Sequence, residues 1–283
     1  MPRALGDVTV TSARLDRTDR VRPEPDFHLR AGGVLHRSFR IWGTNLFGLS
    51  VLGLLISSPA LAAWALIAFF GGDDPEVRNL WSSLVRLLWL ILNTIILQGA
   101  VTYSVLGQLG GSPPPIAAAL RTGLARASAV LGAGLLAGLA MLAAGACLIV
   151  PGLVLATWYW VVIPVAVIES PGSRTALTRS QQLTKGNRWP IFACMMALGI
   201  VSVGGAAAIE AAVRAVGGPE VVEAVTRMGS SSSQLTADAQ ALVGLLSIPL
   251  AVLGPVGPTV AYHDLRVGKE RTSLDEMLDG FDL

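Results

Sequence analysis

The chain is 283 residues long, 52% hydrophobic and only 14% charged, with a formal net charge of +2 at neutral pH. A soluble domain carries about a quarter charged residues, so this balance excludes most soluble architectures. The basic residues alternate with apolar runs near the ~20 residues that a bilayer span needs, so they report membrane topology and exclude a nucleic-acid patch.

Residues 1–27 mix Arg, Asp, Pro and Thr without periodicity, and a disordered cytoplasmic tail is expected there. From Leu29 to Leu46 the apolar residues Leu35, Phe39, Trp42 and Leu46 recur at helical spacing, with Arg30, Arg37 and Arg40 among the other positions. This pattern predicts an interfacial amphipathic helix leading into a first span over 46–70. Ala60-Leu61-Ala62 has the look of a signal-cleavage site, but the apolar run continues through Trp64 to Phe70, which predicts a retained span.

Asp74 and Pro75 have the composition of an N-cap and first helical position. The second span is expected over 85–109, stopped by Gly110-Gly111 and Pro113-Pro114-Pro115. Residues 116–126, with Arg121 and Arg126, predict a second short amphipathic helix. The apolar stretch from Ala127 to Ile168 is too long for one span, and Pro151-Gly152 divides it into spans over 127–150 and 152–168. A polar segment with Arg174, Arg179, Lys185 and Arg188 precedes a fifth span over 189–213. An outer loop follows, in which Pro219-Glu220 opens a short helix and Gly229 with four serines forms a flexible link. The sixth span is expected over 239–262, kinked by Pro249, Pro255 and Pro258, and residues 267–283 form a cytoplasmic C-terminal tail.

The fold class is therefore an all-α integral membrane protein whose membrane domain covers 28–266: six transmembrane helices as three hairpins, each preceded by a cytoplasmic amphipathic helix. Of the 21 Lys and Arg residues, seventeen fall on one side of this scheme, which places both termini in the cytoplasm. Arg37-Ser38 stands eight residues ahead of Asn45, as Arg179-Ser180 stands eight ahead of Asn187, with Arg121-Thr122 in the middle unit, so a three-unit internal repeat is a further expectation.

No catalytic residues are nominated: His28, His36 and His263 lack metal spacing and no nucleophile–base arrangement or phosphate loop is visible. No cofactor and no metal are expected. Cys147 and Cys194 fall inside apolar runs and are read as small buried hydrophobes. Two groups are candidates for function. Arg37, Arg40, Arg179, Lys185 and Arg188 form a candidate site for anionic headgroups, against the simpler reading that positive-inside topology places them there. Asn93, Gln98 and Glu210 are intramembrane polar residues, either part of a polar path or headgroup site between helices or, more simply, interhelical hydrogen-bonding groups in the case of Asn93 and Gln98, with Glu210 in the outer interface. Gly134 and Gly138 form a small-xxx-small pair suited to close helix packing, internal or between copies. The Trp158-Tyr159-Trp160 cluster is a ligand platform or an interfacial anchor.

Ala176-Leu177, Arg179-Ser180, Leu183-Thr184, Lys185-Gly186-Asn187 and Trp189, with Pro151-Gly152, Pro164 and Glu169 before them and Tyr262, Asp264-Leu265-Arg266 and Lys269-Glu270 after the last span, carry a resemblance. Over about residues 29–275 the chain resembles the membrane domain associated with bacterial glycerophosphoryl diester phosphodiesterases, which also occurs alone; His263 stands where that pattern has an aromatic. The resemblance implies a six-helix module of a bacterial inner membrane without the hydrolytic barrel. The functions expected are a non-enzymatic module that binds lipid or acts as accessory partner to another membrane or envelope protein, or a small lipid transporter. The expected partners are membrane lipids, with another membrane protein or a homo-oligomer beside them, and no nucleic acid.

Overall fold

A computed structural model of the chain describes residues 28–70, 74–169, 172–216 and 237–270. The expected N-terminal tail and the outer loop with its serine link lie outside the described residues, as does the C-terminal tail beyond Glu270. The described residues are helical without strands: α1 Ala31–Thr44, α2 Leu46–Phe70, α3 Pro75–Ile91, a π-helical turn Leu92–Leu97, α4 Gln98–Leu109, α5 Ile116–Ala125, α6 Ala127–Cys147, α7 Ile149–Trp158, α8 Val162–Ile168, α9 Ser173–Thr184, α10 Arg188–Val216, α11 Ala237–Ala251 and α12 Leu253–Glu270. Among them six helical stretches are long and apolar enough to cross a membrane: Leu46–Ile67, Leu80–Leu109, Ala127–Cys147, Ile149–Ile168, Arg188–Val216 and Leu242–Glu270. The chain is thus a multi-pass membrane protein.

Local chemistry sets the helix boundaries. Asp74 caps α3 as expected, its carboxylate accepting from the Glu76 and Val77 amides at 2.9 and 3.5 Å, with Pro75 in the first turn. Pro151 does not divide the third and fourth spans. The break is at Leu148, whose extended backbone (φ −160°) separates α6 from α7, and Pro151 sits in the first turn of α7, where its missing N–H costs nothing. The second span begins earlier than 85, and the sixth runs on through Glu270.

Three of the six spans are interrupted. In the second, the Asn93 side-chain amide takes the Trp89 carbonyl at 2.9 Å, competing with the backbone ladder where the π turn forms. In the fourth, residues 159–161 leave the helix just ahead of Pro164. In the sixth the expected kink falls at Val252, three residues after Pro249. These are also the spans that meet at the centre. Below the interruptions α4, α8 and α12 pack on one another, burying Val101, Val105, Val165, Val256 and Val260 completely. Thr259 bonds Thr102 across this seam at 3.3 Å. Above them, α3, α7 and α11 make no more than marginal contact with each other and expose Leu, Ile and Val side chains broadly.

The short helices surround the packed end. α1 lies on α12 and α10, burying Val34, Ser38 and Ile41; α5 lies on α4; α9 lies on α6 and α8. The continuous spans α2, α6 and α10 lie outside, each against a broken one: α2 on α11, α6 on the π turn as well as on α7 and α8, and α10 on α7, α11 and α12.

Close approach of backbones occurs away from the expected glycine pair. Gly138 faces open space and a Cβ on Gly134 would meet only Ile163 at 3.5 Å, whereas a Cβ on Gly123 of α5 would stand 2.7 Å from the Ile96 carbonyl and 2.9 Å from Ala100 Cβ. The tight crossing is therefore α5 over the π turn, at Gly99 and Gly123. The cysteines also divide: Cys194 is buried, its thiol directed at the Ala31 carbonyl, but Cys147 at the end of α6 is exposed, not buried as expected. Cys147 closes α6 where the chain's apolar surface is outward-facing, Leu148, Ile149 and Val150 being exposed beside it.

Gly123→Ala is expected to lower stability by about 1–3 kcal/mol through overpacking against the π turn, while Gly138→Ala, with no atom nearby, leaves the thermal midpoint in detergent unchanged. Equal midpoints for the two variants would contradict the crossing described.

Candidate functional site

The chain turns sharply between α9 and α10, and most of its interior polar chemistry gathers around that elbow. Gly186 has φ +84°, a left-handed conformation that suits glycine, and it lets Asn187 fold back under α1. Asn187 is 1% exposed and its side-chain oxygen accepts the Leu29 amide at 2.6 Å, tying the elbow to the entry of α1. Lys269 of α12 donates to the Gln182 and Lys185 carbonyls at 3.3 and 2.6 Å, satisfying acceptors that the C-terminus of α9 leaves open.

α9 in turn repairs the break in the fourth span. The Ser180 hydroxyl donates to the Trp158 carbonyl at 2.7 Å, and the Gln181 amide reaches the Tyr159 hydroxyl at 2.8 Å. Backbone groups freed inside a membrane protein need such partners, each orphan costing several kcal/mol in hydrocarbon.

Below this lies a charged clasp. Arg179 on α9 bonds Glu169, at the end of α8, at 2.9 Å and Glu270, at the end of α12, at 2.7 Å. The two carboxylates hold the Arg179 guanidinium well above its ordinary pKa, against the opposing effect of burial, so it carries its charge at every working pH. Tyr262, fully buried, donates to Glu169 at 2.9 Å and accepts from Arg266 at 2.8 Å, and Arg266 also faces Glu270 at 3.4 Å. A separate pair joins Arg37 of α1 to Asp264 of α12 at 2.6 Å, with His263 at 3.3 Å from the same carboxylate.

The five nominated cations thus have different surroundings. Arg37 and Arg179 are matched by carboxylates within the protein, and Arg40 lies 2.9 Å from His36 on its own helix. Lys185 and Arg188 are exposed and have no carboxylate partner among the described residues. The Arg188 guanidinium is held 4.5 Å from the centre of the Trp158 ring. Beside it a groove of about 310 Å³ runs between α7 and α10, floored by Leu153, Val154, Thr157 and Phe192 and flanked by Arg188 and Trp189.

Asn93, Gln98 and Glu210 are not joined by any hydrogen bond among the described residues: Asn93 bonds its own helix, with its other amide atom buried and unpartnered, and Glu210 pairs with Arg214 one turn on. No group of three or more His, Cys, Asp or Glu side chains placed to hold a metal ion occurs among the described residues. Sequence reasoning quoted Glu169, Tyr262, Asp264, Lys269 and Glu270 as pattern residues without giving them roles. Apart from Glu169 with Arg179, ten positions on, their pairing across helices spans 84 to 227 positions of chain, so no local spacing discloses it. Trp158 was noted as part of an aromatic cluster, but its cation was not. No family model matches the chain, and no curated protein or solved structure does either.

Arg179→Gln removes the cation that Glu169 and Glu270 share at hydrogen-bond distance and leaves both partly buried carboxylates to Arg266, at 4.0 and 3.4 Å. An expected loss of about 2 kcal/mol follows, the scale of hydrogen bonds to charged groups. Adding Glu270→Gln to that variant should recover part of the loss. A double-mutant cycle in detergent checks this; strict additivity would mean the two side chains do not interact.

Proposed function

We propose that the chain is a non-enzymatic lipid-binding module of a bacterial inner membrane, with both termini in the cytoplasm. The observation that carries this reading is the closed centre: α4, α8 and α12 are packed by fully buried valines and clasped by ion pairs, with Lys185 and Arg188 exposed at the periphery of that end and without a carboxylate partner among the described residues. A path lined by Asn93 and Gln98 would need an open, wet centre at this level. The orientation is supported by the basic residues, seventeen of 21 lying at the packed end that the short helices surround or in the segments adjoining it. The pattern shared with the membrane domain of the phosphodiesterases supports the same assignment, since Arg179, Ser180, Asn187, Lys269 and Glu270 build the elbow and its clasp.

We read the six spans as three hairpins, each with a leading amphipathic helix. In cyclic order, each leading helix lies against the second span of the unit before it: α5 on the second span, α9 on the fourth and α1 on the sixth. Arg37–Asp264 and Arg179–Glu169 then occupy equivalent places, each joining a leading helix to the end of that neighbouring span. The middle unit has Arg121 exposed there, without a matching acid in α4.

A transporter of lipid or amphiphile is the second reading, favoured by the divergence of α3, α7 and α11 above the interruptions. Proteoliposome assays separate the two. A lipid-binding module retains anionic phospholipid through purification and moves labelled lipid between leaflets no faster than protein-free vesicles; accelerated movement would establish the transporter instead. For orientation, a fluorescent protein fused after Leu283 is expected to fold and fluoresce, and alkaline phosphatase fused after Thr226 to be active. Loss of both signals would invert the topology.

A further inference from the structure

We propose that the groove between α7 and α10 is a seat for one anionic phospholipid, its phosphate on Arg188 and one acyl chain along Leu153, Val154 and Phe192. This rests on the lipid-binding reading and adds to it a place and a headgroup class. Four features of the groove select this occupant.

The groove lies on the lipid-facing flank. Leu153 and Val154 are 38% and 40% exposed and Trp189 is 82% exposed, so the occupant comes from the bilayer and not from the aqueous phase. Its floor is hydrocarbon apart from Thr157, whose hydroxyl is spent on the Val154 carbonyl at 2.7 Å. From Thr157 to Val150, which also lines it, is seven residues of helix, about 10 Å, room for roughly half an acyl chain.

The cation at its end is fixed. An exposed arginine beside a bilayer ordinarily swings toward water, but Arg188 is stacked on Trp158 at 4.5 Å, and the Trp158 carbonyl is itself held by Ser180. A guanidinium in that position presents its fork of N–H groups to a phosphate, the geometry it recognises best. It is also the first residue of a 29-residue helix, so the free backbone amides of that first turn add to the positive potential.

The charge is unbalanced. Among the described residues neither Arg188 nor Lys185 has a carboxylate partner, whereas Arg37 and Arg179 do. A zwitterionic headgroup would bring its ammonium toward these two cations, and an anionic headgroup would not. Finally, Lys269 and Asn187 tie the elbow to α12 and to the entry of α1, so the site is formed before lipid arrives and little ordering opposes binding.

The full-length protein is reconstituted in nanodiscs of equimolar phosphatidylglycerol and phosphatidylcholine, and the lipids retained on it are weighed by native mass spectrometry. Wild type is expected to retain phosphatidylglycerol in preference. Arg188→Gln should reduce that preference about fivefold, the worth of one basic residue at an anionic surface. Val154→Trp fills the groove while leaving both cations in place, and should release the bound lipid altogether. Arg121→Gln, on the exposed face of α5, should change nothing. If wild type shows no preference, the lipid-binding reading falls and this proposal with it. If wild type shows the preference and either Arg188→Gln or Val154→Trp keeps it in full, the lipid reading stands and the groove is not its seat. A preference reduced equally by Arg121→Gln would show charge attraction at the whole basic surface, and would overturn the single site.

Discussion

A helix that breaks inside a bilayer releases amides and carbonyls that hydrocarbon cannot satisfy, and the architecture here follows from where those groups find partners. The Pro249 carbonyl, freed by the break at Val252, accepts the Trp42 indole N–H at 2.7 Å from α1. The Trp158 carbonyl accepts the Ser180 hydroxyl from α9. At the third break the π turn keeps its own ladder and Asn93 supplies the extra donor, while the smallness of Gly123 lets α5 lie directly on the Ile96 carbonyl. Each short helix is thus seated by the interruption it covers, and the ring they form follows from three local demands.

Charge completes what hydrogen bonding begins. Exposed ion pairs are worth little and buried ones are expensive unless every lone pair is met. The clasp falls between: Arg179, Glu169, Glu270, Arg266 and Tyr262 satisfy one another in a partly wet layer where the spans end. That network joins α9 to the ends of α8 and α12, and the separate Arg37–Asp264 pair joins α12 to α1, so that ion pairs hold two of the three contacts in the cyclic packing of the units. In the clasp two arginines meet two glutamates through one tyrosine hydroxyl, a pairing that needs α8, α9 and α12 in this register.

Much of this is legible in composition and periodicity. The six apolar runs, the Asp74 cap and the interruption of the last span follow from hydrophobic length, capping chemistry and proline, all of which act over a few residues. Pro151 misleads because proline marks a boundary on either side of itself, and only tertiary context decides between ending one helix and beginning the next. The break at residues 159–161 is hidden by uniformly apolar and aromatic neighbours. Likewise the glycines that matter, Gly99 and Gly123, lie on different helices, so spacing within one helix points to Gly134 and Gly138 instead. The basic residues are visible individually, but which of them are already matched depends on acids up to 227 positions away.

The three interruptions also have a mechanical meaning. A Cβ on Gly53 would meet both Val252 and Leu97, and one on Gly257 would meet Trp160, so the interruptions of the three central spans lie near one another along a common line. On one side of it is a stiff ring, cross-tied by hydrogen bonds and ion pairs; on the other are legs of unequal length, about 15 Å for α7 and about 22 Å for α11, that scarcely touch. When the bilayer thins or thickens, mismatch costs only a fraction of a kcal/mol per Å, and separate legs meet it group by group, α11 with α2 and α7 with α6 and α10. The two walls of the Arg188 groove, α7 and α10, belong to one such group, so a change in membrane thickness moves the groove as a unit and spares its shape.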